Sequence, residues 1–124
     1  MSYKKLDIYN KAHSLANDIH QMTLKLPKIE KFEEGQQIRR SAKSVSSNIV
    51  EGFSQRNYKN QFLKFLYHAY GSCEETKEHL EFLYENGSLK DKNIFDKFFK
   101  DYEELSRMIY SFIKSVEEMH LSKK

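Results

Sequence analysis

The segment NYKNQFLKFLYHAYGSCEETKEHLEFLYENG, residues 57–87, decides the fold. Within it Phe62, Leu66, Ala69, Cys73, Thr76, Leu80 and Leu83 recur at intervals of 4, 3, 4, 3, 4 and 3. That rhythm puts them on one stripe of an α-helix, because residues three or four apart share a face. Asn57 or Tyr58 opens the segment, and asparagine suits a helix start because its side chain accepts a bond from an unpaired backbone amide. Asn86-Gly87 closes it, since glycine takes the left-handed conformation beyond a last turn. Gly71 sits in the interior, at a cost of about 1 kcal/mol relative to alanine. Close packing against small residues of the preceding helix is the expected compensation.

Three further stripes flank this one. Ile8, Ala12, Leu15, Ile19, Met22 and Leu26 are spaced 4, 3, 4, 3 and 4, and Pro27 then excludes the helical conformation for the residue before it. Ile38, Ala42, Val45 and Ile49 follow at 4, 3 and 4, with Gln37, Ser41, Ser44 and Asn48 running alongside. Small and polar residues on an inward face permit close helix approach but must find hydrogen-bond partners. Phe95, Phe98, Tyr102, Leu105, Ile109, Phe112, Val116 and Met119 complete the set after a capping Asp91, and the chain beyond His120 is expected to fray. The pattern predicts an all-α, antiparallel, up-down-up-down four-helix bundle, with helices over about 7–26, 34–52, 58–86 and 91–119. The loops fall at 27–33, 53–57 and 87–91, and residues 1–124 form a single domain.

Composition narrows the alternatives. With 4 glycines and 1 proline in 124 residues, the chain lacks the turn residues of a β-sandwich or barrel. One cysteine excludes a disulfide scaffold. No apolar run approaches a membrane span or a signal peptide, so a cytoplasmic location is expected, with no membrane partner. The net charge of +3 is modest, but its distribution is uneven. Residues 35–64 carry Arg39, Arg40, Lys43, Arg56, Lys59 and Lys64 against Glu51 alone, whereas residues 74–104 carry ten acids against five bases. Such polarity suits a polyanion or the acidic face of another subunit, and it also suits helix faces that are merely solvated.

The chain holds more apolar surface than one small bundle needs. Leu63, Phe65, Tyr67 and Tyr70 lie beside the third stripe, and Ile94, Phe99, Met108, Tyr110 and Ile113 beside the fourth. Clustered on adjacent helices, they suggest self-association. Catalytic patterns are missing. A di-metal bundle needs inward Glu-x-x-His pairs on two helices, and only Glu117 to His120 has that spacing. Cys73 lies on an apolar stripe, where a cysteine is a small buried hydrophobe. There is no phosphate-binding glycine loop and no nucleophile elbow. The expectation is a non-enzymatic protein with no metal and no cofactor.

A polar constellation remains near mid-bundle: Gln37, Arg39, Arg40, Asn48 and Glu51 on the second helix, and Ser72, Glu74 and Glu75 on the third. Arginine–carboxylate pairs there would fix helix register. Alternatively Arg39, Arg40, Lys43, Arg56, Lys59 and Lys64 face a nucleic-acid backbone.

These same residues carry a family likeness. The run Gln36-Gln37-Ile38-Arg39-Arg40-Ser41-Ala42, then Ser44-Val45, then Asn48-Ile49-Val50-Glu51-Gly52-Phe53, resembles the bacterial four-helix-bundle proteins encoded in 23S rRNA intervening sequences. Accessory variability proteins of diversity-generating retroelements belong to the same group. Phe62-Leu63, Phe65-Leu66-Tyr67, Ala69, Gly71-Ser72 and Glu74-Glu75 agree with the family pattern, as do Leu6-Asp7-Ile8-Tyr9, Lys11-Ala12, Leu26-Pro27 and Glu30. The resemblance implies an antiparallel bundle that assembles into a homopentamer and binds structured RNA or DNA without catalysis. An accessory role beside a reverse transcriptase is the alternative it implies. Arg56 falls where the family tends to place an arginine. Tyr70 departs from the family, which often has arginine there, so no polyanion contact carries over to that position.

Overall fold

The computed structural model describes residues 2–119. A 3-10 turn (Tyr3–Lys5) leads into α1 (Asp7–Thr23), and a one-turn helix α2 (Lys28–Lys31) precedes α3 (Glu34–Ser54). The longest helices, α4 (Lys59–Glu85) and α5 (Lys92–Glu118), complete an all-α bundle with no strand element among the described residues. α3 and α4 run antiparallel, as do α4 and α5: Ser41 meets Thr76 and Ser44 meets Ser72, Tyr70 meets Tyr110 and Tyr84 meets Phe95, while Lys11 of α1 meets Glu104 of α5. The α3–α4 contact is the most extensive, and α1 against α5 the sparsest.

Local chemistry sets the ends. Asp91 caps α5, its carboxylate accepting from the backbone amides of Asn93 and Ile94. Gly87 takes φ +84° after α4, and the Leu89 amide returns to the Leu83 carbonyl, tucking Leu89 into the core. α1 stops at Thr23, short of the proline, because a turn over 24–26 already carries Leu26 inward. Tyr58 rather than Asn57 occupies the cap position of α4. The 27–33 loop contains a helical turn, α2, that the apolar spacing did not signal. The chain beyond His120, and with it the Glu117–His120 spacing, lies outside the described residues.

The stripes of the first three long helices are buried throughout. On α5 the stripe drifts: Ile113 is fully buried in place of Phe112, while Phe95 and Phe112 are half-buried and Met119 is exposed. A straight helix with 3.6 residues per turn rotates away from a strict seven-residue repeat over 27 positions.

Two expectations about α3 against α4 need correction. Gly71 is not at the contact; it faces solvent, and a Cβ there would meet nothing within 4 Å. The close approach comes at Gly52, where a Cβ would lie 3.1 Å from the Phe65 Cβ and 3.3 Å from the Phe62 ring. The arginine–carboxylate network across α3 and α4 is also not formed. Gln37 and Glu51 are exposed, and Asn48 donates to Ser44 on its own helix. Glu74 turns to Ser106 and Lys77, away from α3, and Glu75 lies beside His79. Of that set only Ser72 bridges the two helices, its hydroxyl donating to Ser44 Oγ at 2.9 Å. One helical turn away, Ser41 Oγ and Thr76 Oγ1 lie 2.8 Å apart, fully inside. Short hydroxyls win here because they pair across a narrow gap that a long guanidinium would overfill.

Leu66 and Ile109 are fully buried, so alanine at either is expected to lower unfolding free energy in urea by about 2–5 kcal/mol. Gly71→Ala is expected to raise it by roughly 0.5–1 kcal/mol, an open helical glycine gaining propensity. Gly52→Ala is expected to lower it, because its new methyl presses on Phe62 and Phe65.

Candidate nucleic-acid interface

The six cations nominated by the sequence do not form one patch. Arg39 is half-buried under α2, where it donates from Nη1 to Thr23 Oγ1 (3.0 Å) and from Nη2 to the Lys31 carbonyl (2.9 Å). Its position depends on Gly35, since a Cβ there would lie 2.5 Å from the Glu30 carbonyl oxygen and 3.3 Å from Arg39 Nη1. Arg56 packs its guanidinium 4.2 Å over the Phe53 ring and donates to the Phe53 carbonyl at 3.0 Å. Lys59 donates to the Glu117 carbonyl.

A common chemistry links these three. Lys31, Phe53 and Glu117 lie in the last turns of α2, α3 and α5, where carbonyls have no intrahelical partner and the helix dipole is negative. A cation donating there satisfies both needs. Arg39, Arg56 and Lys59 are therefore held by the fold.

Arg40, Lys43 and Lys64 point to solvent. Lys64 lies 5.6 Å over the Phe65 ring on α4, level with the C-terminal end of α3. It is displaced from Lys43 by about 15 Å of helix axis at 1.5 Å per residue. Arg40 and Lys43 belong to the outward ridge of α3, with Gln36 and Ser47 at the same 4, 3, 4 spacing that governs the buried side. Two shallow depressions flank this ridge. One, about 570 Å³, is lined by Gln36, Arg39, Arg40, Lys43, Ser44 and Ser47. The other, about 510 Å³, lies between α1 and α3 and is lined by His13, Ala16, Asn17, His20, Lys43, Ser46 and Ser47. Neither lining includes an acid.

His13 stacks on Tyr9 with ring centroids 5.4 Å apart, adding a flat aromatic surface at one edge. Cations, amides and hydroxyls without a carboxylate make a surface suited to phosphate oxygens, and a ring pair suits an unstacked base. Sequence reading missed His13, Asn17, His20 and Ser47 as members of this surface. The signal was available in the complement of the α3 stripe, where residues 36–47 hold no acid.

The opposite side has a different character. Tyr67 and Tyr110 are about half exposed, Tyr70 lies 6.1 Å from Tyr110, and Tyr84, Phe95 and Phe99 stack in series. Charges of both signs border them: Glu74, Glu103, Lys77 and Arg107 lie around Tyr70 and Tyr110, and Lys114 sits 5.0 Å over the Tyr110 ring. Burial pushes the Cys73 thiol up to about 12, so it stays protonated and unreactive. Among the described residues no cluster of three His, Cys, Asp or Glu side chains could hold a metal ion. Among them, too, no helix is long and apolar enough to cross a membrane.

Comparison with known proteins agrees with this architecture. The sequence model of the 23S rRNA-intervening sequence proteins matches residues 4–111. Among solved structures, the chain is similar to a protein of unknown function from the S23 ribosomal protein family of Bacteroides thetaiotaomicron. The two are 26% identical with a TM-score of 0.77, over 86% of this chain and 95% of that one. No curated protein matches the chain.

Arg39→Ala would leave the Lys31 carbonyl and the Thr23 hydroxyl without their donor. It is expected to cost about 1–3 kcal/mol in urea unfolding, whereas Arg40→Ala is expected to fall within about 0.5 kcal/mol of wild type.

Proposed function

Because this chain belongs to the 23S rRNA-intervening sequence protein family, we propose that it is a non-enzymatic, homo-oligomeric protein that binds structured RNA or DNA. The observation that carries the reading is the pair of acid-free depressions along α1 and α3, with Arg40 and Lys43 on the ridge between them and His13 and His20 along the groove. A cationic face on a rigid helix pair meets the phosphate backbone without reading sequence, so affinity is electrostatic and salt-dependent. Assembly multiplies a face that carries few charges in one copy, and a pentamer would present five. The aromatic face of α4 and α5 supports self-association, since exposed Tyr67 and Tyr110 are residue types enriched at interfaces.

That face also favours a second reading, in which α4 and α5 dock a protein such as a reverse transcriptase and the chain is an accessory subunit with no direct nucleic-acid role. Capture of that partner after nuclease treatment would favour it.

Affinity for a structured RNA, measured at two salt concentrations, tests the first reading. Log K is expected to fall linearly with log salt, by about 0.9 per phosphate neutralised on a duplex. Arg40→Glu/Lys43→Glu is expected to weaken binding and flatten that slope by about 2 per subunit engaged. Wild-type affinity and slope in that variant would refute the assignment of this face.

A further inference from the structure

α1 and α5 are the least packed neighbours in the bundle, and at one end they part. There a cleft of about 690 Å³ opens between the last turns of α1, the first turns of α5 and the loop over 88–91. Met22, Leu26, Leu89 and Phe98 form its floor. Each is nearly buried but shows an edge to the cleft, and Ile94, 40% exposed, stands as one wall. The volume lies within the roughly 300–1,000 Å³ of small organic ligand sites, which are likewise mostly apolar with a few polar groups at the mouth. Met22 adds a side chain that adapts its shape to an occupant.

The mouth carries charges of both signs. Lys25, Lys90 and Lys97 reach it from three segments, with Asp18 and Asp91 beside them. Asp91 is engaged as the cap of α5, and Lys97 pairs with Asp101 at 3.0 Å and feels the charge of Asp18. Among the described residues neither Lys25 nor Lys90 has a carboxylate partner. Two free ammonium groups over a hydrocarbon floor favour a molecule with an apolar body and an anionic head. They disfavour a neutral polar molecule, which would leave the floor uncovered. The loop over 88–91 and Pro27 line the end of the cleft, giving it the reach of a small molecule rather than of a whole helix about 10 Å across.

We infer that this cleft is a binding site for an amphipathic carboxylate, its hydrocarbon tail lying over Met22, Leu26 and Phe98 and its head between Lys25 and Lys90. The site lies on the α1–α5 side of the bundle, apart from the ridge of α3, and does not depend on nucleic-acid binding.

Calorimetric titration of the full chain with sodium dodecanoate, kept below its micellar range, tests the assignment. One site per chain is expected, with a Kd of roughly 1–100 μM for a ligand of this size. Lys25→Glu/Lys90→Glu is expected to weaken binding at least about tenfold, and Ile94→Asp similarly, each with a wild-type circular dichroism melt. Arg40→Glu/Lys43→Glu is expected to leave it unchanged. Absence of saturable binding would overturn the inference. So would equal binding of dodecyltrimethylammonium, or wild-type affinity in both cleft variants. Light scattering provides a further arm: an unchanged mass on adding dodecanoate supports the site, and a fall in mass would identify the cleft as a subunit contact and overturn it.

Discussion

The molecule depends on how closely α3 can approach α4. Ala42, Val45 and Gly52 present little bulk, so large residues of the neighbouring helix, Phe62 and Leu66, fill the space between. Two hydroxyl pairs, Ser41 with Thr76 and Ser44 with Ser72, are interleaved with that apolar contact. Ser41 and Thr76 also have a carbonyl of their own helix within reach, at Ile38 and Ser72, so a slide of one turn would cost the two cross-helix bonds rather than every partner. The pairs favour this register, and the register sets the orientation of α3. Once its small side faces α4, the ridge bearing Gln36, Arg40, Lys43 and Ser47 must face outward.

Carbonyl groups at helix ends sort the cations. Arg39, Arg56 and Lys59 each reach the last turn of a helix; Arg39 and Lys59 thereby tie separate elements together, while Arg56 closes the end of α3 beside it. Arg39 secures α2 beneath α1, and Glu30 holds the same turn from the other side through Asn86 and Ser88. The cations left facing solvent, Arg40, Lys43 and Lys64, are a smaller set than composition suggests. It is nonetheless better defined, because the elements beneath it are pinned.

The fold was legible because burial imposes a period. Leu66, Ala69, Cys73 and Thr76 could be placed inward from spacing alone, and all four are buried. Ends were legible where a residue type has one favoured use, as with Asp91 and Gly87. Partnerships were not legible. Whether an arginine meets a carboxylate or a carbonyl depends on which segments the bundle brings together, and no local pattern encodes that Lys31 ends a helical turn beneath Arg39. Gly71 misled for a related reason: spacing identifies a face, but a glycine in a broad helix can lie just outside it. The α1–α3 face was half visible, its α3 ridge in an acid-free run and its α1 side in histidines that carry no periodic signal.

A family match over residues 4–111 and a TM-score of 0.77 to a solved structure agree with this bundle architecture. The most direct test is a double-mutant cycle on Ser41→Ala and Thr76→Val, followed by urea unfolding. A favourable coupling of about 0.5–1.5 kcal/mol is expected if the two hydroxyls hold α3 against α4 as a pair. Additive single effects, with no coupling, would contradict the account.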